Sequence, residues 1–190
     1  MQMKKEAPSK GNVACLAGRR IDSDVAETPR FPSHNAHAVK ASLIEIFKHE
    51  MVKHLVSSAA CGADILALEV CEELGIETTI VLPFVTQEFR RISVTDRGGN
   101  WGSRFDQLIE SNRAHGALIE LGLPTDTTDA FEQANIEIVL RASQISAAEH
   151  LAVIVWEGAK KGTSDATKDV KDRAVSKGFR VVEINTLLDT

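Results

Sequence analysis

The sequence predicts an α/β domain of three layers, a mostly parallel sheet with helices on both faces. Apolar runs of strand length alternate with helical patterns along the whole chain, which is the arrangement that builds such layers. Residues 54 to 84, HLVSSAACGADILALEVCEELGIETTIVLPF, read as strand, glycine turn, helix, glycine stop and second strand with almost no spare residue. That is a βαβ unit, and two parallel strands need such a crossover. The runs NVACLA at 12 to 17 and LAVIVW at 151 to 156 are apolar almost throughout, as in strands covered on both faces.

The chain has 190 residues, 43% of them apolar, enough to bury the core of one large domain. Residues 1 to 11, with lysine, proline and glycine and no periodicity, read as a disordered arm ahead of a single domain from 12 to 190. The net charge of -5 argues against nucleic-acid binding by bulk charge. No run approaches the roughly 20 apolar residues of a membrane span, and the polar start is unlike a signal peptide. The expected setting is cytoplasmic, without a membrane partner, and a homodimer is the expected assembly. Cys15, Cys61 and Cys71 lack metal-ligand spacing and read as buried small hydrophobes, so neither a metal nor a cofactor is expected.

In order, the first strand at 12 to 17 ends at Gly18. A long segment with Pro29 and Pro32 follows, of a length uncommon without a function. Val39, Leu43, Ile46, Phe47 and Met51 recur at helical spacing, predicting a helix from 39 to about 53. The central unit gives a strand at 55 to 60, a helix from 63 to 74 stopped by Gly75, and a strand at 78 to 82. Residues 85 to 103 are polar and rich in arginine and glycine, and a helix from about 104 to 113 comes next. ALIEL at 117 to 121 is either a short strand or a connector. A helix from 127 to about 148, capped by Asp126 or Asp129, turns Phe131, Ala134, Ile138, Ala142 and Ile145 to the core. After the strand at 151 to 156, a helix from about 164 to 176 stops at Gly178 and the last strand covers 180 to 184.

The natural strand order runs 78 to 82, 55 to 60, 12 to 17, 151 to 156, 180 to 184, and reverses between the third and fourth of these. Ligands of such sheets bind at the reversal, beyond the carboxyl ends of the strands. Three loops meet there, those after Ala17, at Ala60 to Asp64 and after Trp156. Gly18, Arg19, Arg20 and Asp22 leave the first strand at this place, and a guanidinium there can pair with phosphate or carboxylate, or be plain solvated charge. Ser57 and Ser58 lead into Gly62, with Asp64 in the first helical turn, a small-residue turn that leaves backbone N–H groups for an anion. Gly158 to Asp165, GAKKGTSD, repeats the design, with Gly162 for close approach, Thr163 or Ser164 as cap or phosphate contact, and Lys160 and Lys161 for charge. Arg90, Arg91 and Arg97 reach a ligand and Trp101 stacks on a base, or the segment is a surface excursion with Trp101 packed on the core. Glu69, Glu132 and Asp22 are the carboxylates available as acid, base or charge stabiliser in N-glycosidic cleavage, and solvated helix faces are the ordinary alternative.

With these residues in view, the chain resembles the SLOG superfamily, which includes the LOG-type phosphoribohydrolases and nucleotide-sensing domains of bacterial signalling. The resemblance rests on LAGRRID at 16 to 22, SSAACGADILALE at 57 to 69, VLPF at 81 to 84, EFRRISV at 88 to 94, NWGSRF at 100 to 105, AFEQAN at 130 to 135 and VWEG with GTSDAT at 155 to 167. It implies a Rossmann-like fold and a nucleotide ligand. LOG-type enzymes resemble one another through a PGGxGTxxE stretch whose glutamate is catalytic. The corresponding residues 157 to 166 here keep Gly162-Thr163, lack the Pro-Gly-Gly opening and place Ala166 at the glutamate position. The first expectation is therefore a domain that binds a nucleotide or nucleotide-derived signal. An N-glycosidic hydrolase of nucleoside monophosphates is the alternative, and a scaffold without ligand the third reading.

Overall fold

The computed structural model describes residues 11–160, 162 and 164–187. The residue-1-to-11 arm lies almost wholly outside the described residues, as do Lys161 and Thr163. Six strands form one parallel sheet: β1 (Asn12–Gly18), β2 (Val52–Ser57), β3 (Glu77–Leu82), β4 (Leu118–Glu120), β5 (His150–Trp156) and β6 (Arg180–Asn185). Their order is β4-β3-β2-β1-β5-β6, the expected order with one short strand added at the edge. ALIEL therefore contributes a strand rather than a connector.

The helices are α1 (Ala36–His49), α2 (Ala63–Leu74), α3 (Thr86–Ser93), α4 (Trp101–Ala114), α5 (Ala130–Gln144) and α6 (Ala166–Ser176). Alternation along β1 sends Ala14 and Leu16 to one face, where α1, α2 and α4 pack, and Val13 and Cys15 to the other, where α5 and α6 pack. The result is the three-layer α/β fold that the sequence predicts. Helix α2 has eight of its twelve residues buried, which explains its apolar composition on nearly every side. Gly75 ends it in the left-handed region at φ 65, with the Ile76 N–H donating to the Cys71 carbonyl at 2.9 Å.

Several boundaries differ from the sequence expectation for identifiable reasons. Strand β2 begins at Val52 and stops at Ser57, because Ser58 to Ala60 lack the branched side chains that hold a pleated strand. Met51 lies outside α1 and is 59% exposed, and Phe131 is 43% exposed although the helical period places it with Ala134, Ile138 and Ala142. Phe131 sits at the first turn of α5, its ring edge-on to Phe84 at 5.5 Å and bordering a crevice rather than packed in the core. Helix α3 was not expected from TQEFRRIS, whose apolar residues Phe89 and Ile92 are too few to set a period. Helix α6 starts at Ala166, two residues later than expected.

Cys15, Cys61 and Cys71 are free and buried, and burial pushes the Cys15 thiol up to about 12. They behave as small core side chains. Among the described residues no helix is long and apolar enough to cross a membrane.

Candidate functional site

The expected reversal of strand order falls between β1 and β5, and the loops that follow β1, β2 and β5 meet beyond it. A crevice of about 340 Å³ opens there, reached by Leu16 to Gly18 at the end of β1, Ser58 after β2 and Pro83 after β3. Phe89, Ile92 and Ser93 come from α3, Phe131, Ala134, Asn135 and Ile138 from α5, and Ala166 and Thr167 from the start of α6. The lining is mainly apolar with a few polar groups, the usual character of a small-molecule site. Arg20, Ser58, Asp64 and Asn135 supply the polarity.

Asp64 stands in the first turn of α2 and is 7% exposed. One of its oxygens accepts the Ala60 N–H at 3.2 Å. Burial pushes its carboxyl up to about 7, against the pull of the Ala60 amide and of Arg20. A carboxyl of this kind changes charge near neutrality, as functional-site carboxyls often do.

Arg19 is placed at the junction but faces inward. Its Nε donates to Glu157 at 2.6 Å, Nη1 to Asp165 at 2.7 Å, and Nη2 to Glu157 at 3.1 Å and the Ala159 carbonyl at 2.7 Å. Arg30 also donates to Glu157. The expectation that Arg19 binds a ligand anion thus meets a guanidinium already engaged on both sides by protein carboxylates. Asp165 caps α6 as well, its Oδ1 accepting from the Thr167 and Lys168 N–H groups at 3.0 and 3.2 Å. The carboxylate of Asp165 therefore takes the position at the start of α6 that the sequence leaves open to phosphate. Ser164 precedes this cap rather than forming it, and Thr163, the other expected cap, lies outside the described residues. Gly158 and Gly162 have φ 87 and 61 and face open space, consistent with turn formation.

The turn at Gly62 is likewise closed by the protein. Arg20 and Gly62 form an isolated antiparallel bridge, the Ala63 N–H donates to the Arg19 carbonyl at 3.1 Å, and the Ile21 N–H to the Cys61 carbonyl at 3.2 Å. A Cβ at Gly62 would lie 2.7 Å from the Arg19 oxygen and the Ile21 nitrogen, so glycine is needed here for the approach of two loops. Gly18 has the same kind of role, since a Cβ there would lie 2.3 Å from that of Ala63.

Arg20 lines the crevice, which Arg19 does not. Both border a neighbouring cavity of about 620 Å³, with Arg97, Asp22 and Ser164. Both Arg20 and Arg97 lie beside Asp96, and Arg20 donates to it. The Nε atoms of Arg20 and Arg97 are buried without a hydrogen-bond partner among the described residues. A buried N–H of a cation without an acceptor is costly and needs an explanation.

Of the other expected site residues, Asp22 borders the neighbouring cavity and the rest lie elsewhere. Glu69 is clasped by Arg104 at 2.6 and 2.8 Å and faces Lys40 at 3.4 Å, joining α2 to α4 and α1 away from the crevice. Burial alone would raise its carboxyl, but Arg104 and Lys40 hold it below the usual range. Glu132 is paired with Arg173 at 2.6 Å on an outer cleft between α5 and α6. Asp22 accepts the N–H groups of Arg30 and Phe31 at 2.9 and 3.0 Å and so folds the long loop after β1. Arg90 holds Asp106 at 2.8 and 2.9 Å, and Arg91 holds Glu88. Trp101 is 8% exposed and covered by the Arg104 guanidinium, 4.0 Å from its ring centroid, so it packs on the core instead of offering a face to a base. Ser57 is fully buried, its hydroxyl donating to the Ser58 carbonyl at 2.9 Å.

Sequence reasoning did not single out Asn135, Phe89, Ile92, Glu157 or Asp165 in the roles they occupy. For Asp165 a signal exists, an aspartate directly before a helical run.

No family model matches the chain, and no curated protein does. Among solved structures, that of DNA processing protein A (DprA) from Streptococcus pneumoniae is similar, with a TM-score of 0.39 and 15% sequence identity. The likeness covers 91% of this chain and 58% of that chain, so this chain spans less than two thirds of its length.

Proposed function

We propose that this domain binds a nucleotide or a nucleotide-derived signal at the crevice beyond β1, with the base among Phe89, Ile92 and Ile138 and the phosphate toward Arg20 and Arg97. The observation that carries this reading is the pairing of two unlike compartments through one residue. Arg20 borders both the mainly apolar crevice and the neighbouring cavity that Arg97 lines too, and the two arginine side chains are 29% and 27% exposed. A ring with an anionic group attached matches that pair, the phosphate meeting the partly exposed guanidinium groups of Arg20 and Arg97.

Binding without hydrolysis is the reading we adopt. Of the carboxylates that the hydrolase alternative would use, Glu69 and Glu132 are held in ion pairs outside the crevice, and Asp22, which borders the neighbouring cavity, accepts the Arg30 and Phe31 N–H groups. The test is a panel of nucleoside mono-, di- and triphosphates, cyclic nucleotides and a short oligonucleotide, followed by thermal shift and by chromatography for released base. Stabilisation by at least one mononucleotide without base release is expected. A panel that leaves the melting temperature unmoved would defeat the proposal, and base release would replace binding by catalysis.

A further inference from the structure

Apart from Arg20, the crevice side-chain atoms of fixed hydrogen-bonding polarity that are left unspent are acceptors. Asn135 donates through Nδ2 to the Ala166 carbonyl at 3.1 Å and to Asp169 at 3.0 Å. Both of those partners can only accept, so the amide cannot be reversed, and its carbonyl oxygen is the atom left over. Among the described residues no donor meets that oxygen. Asp64 likewise spends one oxygen on the Ala60 N–H and keeps the other. The two residues lie in the same lining and are 8% and 7% exposed. Ser58 and Thr167 carry hydroxyls that turn to suit either partner. Arg20 provides the fixed donors, and these belong to the compartment shared with Arg97.

Resting on the nucleotide reading above, we propose that the crevice selects a base presenting N–H groups along its edge, guanine or a close relative, through the Asp64 carboxylate and the Asn135 carbonyl. Guanine carries a ring N–H beside an exocyclic amine, two donors that one carboxylate can accept side by side. Adenine presents a ring acceptor beside its amine, and that acceptor would face a carboxylate oxygen. Leaving two buried acceptors opposed costs on the order of 1–3 kcal/mol, which corresponds to roughly a 5- to 150-fold difference in affinity. Hypoxanthine keeps the ring N–H and lacks the amine, so it falls between them.

The selection depends on pH, because only the ionised Asp64 accepts on both oxygens. Arg20, from the loop after β1, is the charged group facing it. Ser93 from α3, Asn135 from α5 and Thr167 from α6 bring no titrating group to the crevice.

The experiment is equilibrium titration of the full chain with GMP, IMP and AMP at pH 8 and pH 6. At pH 8, GMP is expected to bind about tenfold or more tightly than AMP, with IMP between them, and the ratio is expected to shrink at pH 6. Asp64→Asn, which keeps the acceptor for the Ala60 N–H, is expected to bring GMP and AMP within about threefold at both pH values. The wild-type series decides the matter even if that variant folds poorly. AMP binding as tightly as GMP, with both weakened in Arg20→Ala, would overturn the base-edge assignment while leaving the nucleotide site in place. No binding by any of the three would overturn the base-edge assignment, and the nucleotide reading falls with it only if the wider panel also leaves the melting temperature unmoved.

Discussion

Arg19 and Arg20 are adjacent in sequence and opposite in fate. At the end of a strand successive side chains leave on opposite sides, so one guanidinium enters the junction with β5 and α6 while the other reaches the crevice. Arg19 bridges Glu157 and Asp165, whose side chains are 7% and 1% exposed, and removing it takes a cation from between two buried carboxylates, of which Glu157 keeps Arg30. Arg19→Ala is expected to cost about 3–5 kcal/mol of stability, measured by denaturant unfolding. Arg20→Ala is expected to leave stability within about 1 kcal/mol and to weaken nucleotide binding by about 1.5–3 kcal/mol, measured by titration. If the two variants behaved alike, the division of labour between them would be wrong.

At the scale of elements, the starts of α2 and α6 are the two places where backbone amides face the loops after the strands. Both are closed by the chain itself, α2 by the Arg19 carbonyl and the bridge from Arg20, α6 by Asp165. Gly62 makes the first closure possible, and its replacement tests it. Gly62→Ala combines a φ of 110 with contacts of 2.7 Å to backbone atoms that cannot yield easily. Gly75 has φ 65 and nothing within 4 Å, so Gly75→Ala meets conformational strain alone. We expect about 1 kcal/mol of destabilisation for Gly75→Ala and clearly more, over about 2 kcal/mol, for Gly62→Ala. Equal losses in chemical denaturation would show that loop contact contributes nothing at Gly62.

For the molecule as a whole, stability against pH joins opposing terms. Glu69 and Glu183 are held below the ordinary carboxylate range, Glu69 by Arg104 and Lys40 against burial, Glu183 by Lys171 and Trp156, so each adds stability that is lost as pH falls through its folded value. Asp64 has the opposite sign. Its folded value is raised from 3.8 to about 7, so its contribution is fully present below about pH 4 and is lost as pH rises through 7. Asp64→Asn removes that penalty. The variant is expected to match wild type near pH 4 and to exceed it at pH 8 by up to a few kcal/mol, read from paired denaturant curves. A difference independent of pH would mean that Asp64 is not buried in the manner described.

How much of this was legible in the sequence depends on the range of the interactions involved. The fold class, the strand order and the helix from Ala63 to Leu74 follow from local pattern, because apolar runs, glycine stops and the βαβ crossover are encoded within a few dozen residues. The convergence of the loops after β1, β2 and β5 was also readable, since it is a consequence of strand order. Helix α3 was not, and strand β4 only as one of two readings of ALIEL, since they have eight and three residues and too few apolar positions to establish a period. Which charges would be spent on one another was equally hidden. Arg19 meets Glu157 and Asp165 across 138 and 146 residues, and Trp101 finds its cover in Arg104 instead of a ligand. The sequence by itself determined the three layers and the place where the loops after β1, β2 and β5 converge, because both depend on burial patterns that neighbours in the chain share. Only the tertiary structure decided which arginine, which carboxylate and which helix start remain available there, because a polar group is free or committed according to partners brought near it by folding.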